Sequence, residues 1–441
     1  MGKRIRQTTI VHEMSFSDFV ILFSFILEVG VLQYVEYKAW KTLFTPLSFL
    51  MLPYLVVLII TLFIAGSSFG FVAFYYPSIL IWHIGIFLFA IPSFSIAYIM
   101  QRKGRLTTID TSQDSMRESE MPRLLTILSI LLSLLFLWHL RSTLASSKQA
   151  LGSDEFGEDF SGFGFWGHLR IFTIPLYVIC IYYVGKKRWW LWLPVIVFTA
   201  VSVLNQVKGW TIIPILAAMT MRVYTGRTRL TLRLLIIAVL GMFGIFFTFY
   251  AMSILVVQDR GVSDDFMDFI FGHFFHYLTS GTYGWSMDVE RGIPDDGGSF
   301  EMVIAQLVNL AKSATGDKEL VSPINTLFFF SGRSLTNVRT IFGTLYINTN
   351  AVSFTLYILI LSTIIYSMKL LALKYANIYT YTVYFFYITL LFMGWFDLYF
   401  ANLTIFESAV MLLFLFLFDW LVVGNRFIAR PKALEVLNEK K

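Results

Sequence analysis

The chain has 441 residues and a formal net charge of +6; 57% of the residues are hydrophobic and 14% are charged, against about 25% charged in a soluble domain. With a mean hydropathy of +0.70, this composition excludes a soluble globular enzyme. The positive charge does not point to nucleic acid, because it is gathered in short clusters between apolar runs, where Lys and Arg set membrane topology.

Apolar runs of about 20 residues, each enough to cross ~30 Å of hydrocarbon, recur along the whole length. They predict about eleven spans: 17–35, 47–66, 78–99, 124–140, 169–184, 189–204, 209–222, 234–257, 351–373, 379–396 and 403–423. The first run is followed by Glu36, Tyr37 and Lys38 rather than small residues, so no cleavable signal peptide is expected. Cys180, the single cysteine, lies inside a span, which rules out an intramolecular disulfide. The seventh span is short, and Lys208 at its entrance suggests an end that opens into a polar cavity.

Four basic clusters fall on one side under this count: Arg102–Arg123, Lys186–Arg188, Arg222–Arg233 and the tail from Arg426. The positive-inside rule makes that side cytoplasmic and places the N-terminus, 141–168 and 258–350 outside. The expected organisation is an all-α polytopic membrane protein with three parts: 1–257 holds spans one to eight, 258–350 is a large helical external loop, and 351–441 holds the last three spans and a cytoplasmic tail.

The loop at 258–350 is the least greasy stretch, and polar groups in a membrane protein cost free energy unless they line water or a site. Ser263-Asp264-Asp265 reads as a helix start, with acids at the positive end of the dipole. Asp265, Asp268, Gly272 and His276 then form a polar stripe at helical spacing. Gly281 is positioned to end this helix in a left-handed turn. A second helix is expected over about 300–313, both lying against the membrane face.

P-loop, GxGxxG, HExxH and GxSxG motifs are absent. The Cys and His spacing of a zinc site is also missing, so neither metal nor cofactor is expected. The candidate chemistry is cationic: Lys208, Arg260, Arg291, Arg333 and Arg339 sit in external segments. A guanidinium grips phosphate oxygens in pairs, which suits an anionic lipid head. Arg339 and Lys208 have apolar neighbours that leave their charges needing a partner. His276, on the stripe, is the best-placed general base near neutral pH; Asp265 is the runner-up. Glu28, Glu407 and Asp419 are intramembrane carboxylates and therefore suspects by default.

Three segments resemble the Wzy-type oligosaccharide repeat-unit polymerases. Tyr277-Leu278-Thr279-Ser280-Gly281 is similar to that family's YLTSG segment in the large external loop. Leu335-Thr336-Asn337-Val338-Arg339-Thr340 and the following Gly343–Tyr346 resemble its TNVYT…YxxDFG segment. Pro46 and its neighbours resemble the entry to its second span, and Gln206-Val207-Lys208-Gly209 stands where a GSR turn is common. The chain departs from the pattern where Arg339 replaces Tyr, Lys208 replaces Arg and Asn348-Thr349-Asn350 replaces Asp-Phe-Gly.

The resemblance implies a GT-C-like, metal-independent glycosyltransferase in the bacterial cytoplasmic (inner) membrane. It would join undecaprenyl-diphosphate-linked oligosaccharide units on the outer face, with membrane lipid and a polysaccharide chain-length regulator as further partners and no nucleic acid. A hydroxyl of one unit would attack the anomeric carbon of the growing chain, and lipid diphosphate would leave. It further implies Lys208, Arg260 and Arg339 on the diphosphate, His276 or Asp265 as base, and Tyr277 and Asn337 on sugar. An O-antigen ligase and a lipid-linked oligosaccharide flippase are the alternative readings.

Overall fold

A computed structural model describes residues 15–65, 70–102, 109–147, 149, 153–162, 164–205, 208–251, 264–292, 299–317 and 319–423. In chain order the helices are α1 (Phe16–Trp40), α2 (Pro46–Ile64), α3 (Leu80–Arg102), α4 (Ile109–Glu118), α5 (Arg123–Ser146), α6 (Asp154–Ser161), α7 (Gly164–Tyr183), α8 (Trp192–Leu204), α9 (Lys208–Tyr224) and α10 (Leu232–Ala251). After these come α11 (Asp264–Glu290), α12 (Phe300–Val303) and α13 (Ala305–Thr315). A two-residue antiparallel ladder of β1 (Phe329–Phe330) and β2 (Leu335–Thr336) follows, then α14 (Ile341–Asn348), α15 (Ala351–Tyr375), α16 (Ile378–Phe392) and α17 (Leu403–Val423).

Among the described residues, ten helical segments are long and apolar enough to cross a membrane. The chain is a polytopic, all-helical membrane protein. The expected span missing from these ten is the seventh, 209–222, which forms as α9 but has only 17 residues. At 1.5 Å per residue it reaches about 26 Å, short of the hydrocarbon thickness.

The chain divides into two compact units. The first comprises Met1–Ala97, Phe271–Thr363 and Leu391–Asn402. Its first helix opens on a capping box in which Ser15 and Asp18 satisfy each other's backbone N–H groups. Inside the apolar surfaces of α1 and α3, Glu28 pairs with His83, and the Ser93 hydroxyl donates to the fully buried Glu36 at 2.6 Å. Both of these carboxylates thereby have a partner, as a low-dielectric setting demands.

Much of the first unit is organised around α11, which is buried without a break from Thr279 to Asp288. Gly281 does not end this helix. A Cβ there would lie 2.4 Å from the carbonyl oxygens of Trp395 and Phe396, and one at Gly284 would lie 2.3 Å from that of Val338. Both glycines are where they are because backbone passes against them, a requirement of packing rather than of a turn. Trp285 Nε1 donates to the Ser78 carbonyl at 2.8 Å, and the Ser286 hydroxyl accepts from the Tyr75 N–H at 2.8 Å. The helix expected over 300–313 is present as α12 and α13, broken at Ile304 (φ −114°, ψ 26°).

The second unit comprises Tyr98–Ile270, Ile364–Leu390 and Leu403–Lys441. Here α7 packs against α5, α8, α9 and α17. Its last carbonyls would be orphaned, but Arg222 donates to those of Ile181, Tyr182 and Val184 at 2.8–3.2 Å. This unit also holds an apolar groove of about 630 Å³, lined by Leu371, Tyr375, Val383, Leu412, Phe416 and Trp420 among others. The groove suits hydrocarbon along most of its lining, with Asn377, Tyr379 and Thr380 as its polar residues.

Candidate functional site

Three segments of the first unit converge: the buried half of α11, the stretch from Asn337 to Thr344, and the loop Trp395–Tyr399. Interruption of the apolar helices makes the third segment possible. A 3-10 turn at Met393–Trp395 ends α16 and another at Tyr399–Ala401 precedes α17, leaving Asp397 between them. Tyr54 fixes this loop by donating to the Gly394 carbonyl at 2.9 Å.

Asp397 is half-buried. Its Oδ1 accepts from the Leu398 N–H at 2.7 Å and from the Thr344 hydroxyl at 3.4 Å. Burial pushes its carboxyl up to about 7, against the opposing pull of those two donors and of the Arg339 charge. Tyr277 stacks on Phe396 with centroids 6.1 Å apart and planes 10° apart. The Tyr399 phenol is raised by burial, with added repulsion from Asp397 and Tyr277. A carboxyl near neutral pKa, flanked by phenols and a hydroxyl, can take up or release a proton at physiological pH.

Arg339 and Asp288 form the second element, and both side chains are fully buried. Nε donates to Oδ2 at 2.5 Å and Nη2 to Oδ1 at 3.0 Å, while Nη1 serves the carbonyls of Leu327 and Asn337 at 3.0 and 2.9 Å. The guanidinium also lies over the Phe329 ring, 4.8 Å from its centroid. Burial raises the Asp288 carboxyl, and the bidentate Arg339 opposes that. The edge that would grip a diphosphate is occupied by a carboxylate.

His276 is 4% exposed. Its Nε2 donates to the Leu335 carbonyl at 3.1 Å, and its Nδ1 meets the Ser331 hydroxyl at 2.9 Å. Both nitrogens are engaged in holding the β1–β2 hairpin to α11. We expect His276→Gln to lower stability by about 1–2 kcal/mol, the value of a lost buried hydrogen bond. Thermal unfolding of the two proteins side by side checks this.

Of the other expected residues, Tyr277 lies in the converging region, and Asn337 donates to the Asn325 carbonyl at 3.0 Å. Lys208 opens α9 and Asp265 lies in the first turn of α11; their side chains are outside the described structure, and Arg260 lies outside the described residues. Two residues were not anticipated, Asp288 and Asp397. The sequence signal for Asp397 was an acid in the brief gap between the spans 379–396 and 403–423.

The chain belongs to a family of unknown function, DUF6337, whose profile matches residues 70–425. That match includes Asp288, Arg339 and Asp397. No curated protein matches the chain, and no solved structure does.

Proposed function

We propose that this chain is a membrane glycosyltransferase of the repeat-unit polymerase type, GT-C-like in architecture, acting on undecaprenyl-diphosphate-linked oligosaccharides at the outer face of the bacterial cytoplasmic membrane. One observation carries the reading. The two loop segments that resemble the polymerases, Tyr277–Gly284 and Leu335–Tyr346, pack around the same titratable carboxyl: Gly281 abuts Trp395 and Phe396, Gly284 abuts Val338, and Thr344 reaches Asp397.

In this reading a hydroxyl of the incoming unit attacks the anomeric carbon of the growing chain. The new C–O bond forms as the bond from that carbon to the lipid diphosphate breaks, and the diphosphate departs with the electron pair. The hydroxyl proton passes to the Asp397 carboxylate, whose pKa near the working pH suits a general base. Asp397 takes this role in preference to His276, whose nitrogens are already engaged. Diphosphate is a stable anion, so the leaving group needs cations more than an acid; Tyr277 and Asn337 would contact sugar.

The length of the product tests the reading. Cells lacking the protein should accumulate single repeat units on the lipid at the outer face. Long chains left unattached would indicate a ligase instead, and absence of units outside would indicate a flippase.

A further inference from the structure

In the second unit, Arg170 lies in α7 and is half-buried. Its Nη1 donates to Asn205 Oδ1 at 2.7 Å. The Asn205 amide is itself fixed, since Nδ2 donates to the Ser161 hydroxyl at 2.6 Å and to the Val201 carbonyl at 2.8 Å. Asn205 therefore presents only its oxygen to the arginine, and it takes only one corner of the guanidinium. Among the described residues nothing engages the Nε–Nη2 edge, the pair of donors matched to two oxygens of a phosphate or carboxylate.

No carboxylate among the described residues lies within ion-pairing distance of Arg170. Acids are near in the chain and go elsewhere. Glu155, Glu158 and Asp159 on α6 are exposed; Asp159 accepts from Ser147 at 3.0 Å. Glu407 pairs with His168 at 3.0 Å. A half-buried arginine whose one side-chain partner among the described residues is a neutral amide, held rigidly in place, has no counter-charge among those residues. Asn205 also ends α8, and α9 opens three residues later, so the positive end of a 17-residue helix begins close by in the chain.

We propose that Arg170, oriented by Asn205, binds a phosphate or diphosphate group. The ligand could be the head of a membrane lipid or a soluble phosphate compound, and binding needs no glycosyl transfer, so this site can fail or stand independently of the polymerase reading.

The test uses the full-length protein purified in detergent, with inorganic diphosphate as one probe and phosphatidylglycerol vesicles as the other. A ligand bound only by the folded state raises the unfolding temperature with concentration. Diphosphate is expected to produce such a rise in the wild type, and Arg170→Gln to abolish it; Arg170→Lys, which loses the fork, should weaken binding at least fivefold. Should Arg170→Gln fail to fold, Asn205→Asp serves in its place: it keeps the acceptor for Nη1 but adds a competing negative charge and gives up the amide's donation to the Val201 carbonyl; in a preparation that still unfolds cooperatively it should remove the response. A wild-type response to the vesicles alone, lost in the same variants, would identify a lipid headgroup as the ligand. The proposal is overturned if the wild type responds to neither probe, or if the variants respond as the wild type does.

Discussion

Asp397→Asn should abolish chain extension while leaving the protein at least as stable as the wild type at pH 8. The two halves of this expectation have one cause. Burial favours the neutral carboxyl and pushes its pKa up to about 7, above the value near 3.9 of an unfolded aspartate. The folded state therefore holds the proton more tightly, and stability falls as pH rises from about 4 through 7, where the buried group must ionise. Asparagine mimics the neutral form and removes that cost at alkaline pH. It cannot accept a proton, however, and loss of a general base typically slows a reaction by about 10²–10⁴-fold. The wild-type rate should rise with pH through about 7 as the carboxylate forms. Extension of a lipid-linked acceptor, measured across pH beside thermal unfolding of both proteins, separates this from a folding defect. Normal chain lengths from a well-folded Asp397→Asn protein would remove Asp397 from the mechanism.

The helical membrane class and most element positions were legible because long apolar runs and 3.6-residue periodicity are local properties. The polar stripe through Asp265 and His276 likewise located α11. The helix runs past Gly281 to Glu290. A glycine that stops a helix and one that lets backbone pass look identical in a sequence; what separates them is the approach of Trp395 and Phe396, more than a hundred residues on. Arg339 was legible as a charge in need of a partner. The partner, Asp288, was not, since pairing over a separation of 51 residues leaves no local signature. Asp397 was hidden for a related reason. An acid between two spans reads as a solvated loop, and only packing shows that it is half-buried beside Thr344 and Tyr277's stacking partner Phe396.

Breaking the Arg339–Asp288 pair should be the most damaging single change for stability. With both groups fully buried, removing one leaves the other as an unpaired charge in a low dielectric, at a cost of about 3–5 kcal/mol. Asp288→Leu and Arg339→Met are each expected to reduce folded protein sharply, and Arg339→Lys to recover little, because an ammonium cannot reproduce the bidentate contact or serve the Leu327 and Asn337 carbonyls at once. The double replacement Arg339→Met with Asp288→Leu should regain much of the loss, since no charge is then stranded and similar volume is filled. A diphosphate-gripping arginine would behave differently: Arg339→Met would fold normally and weaken substrate binding, and replacing Asp288 would not rescue it. Thermal unfolding across the two single variants and the double variant distinguishes the cases. A coupling energy of several kcal/mol assigns Arg339 to holding the hairpin region and α11 together around Asp397, and leaves phosphate recognition to other cations.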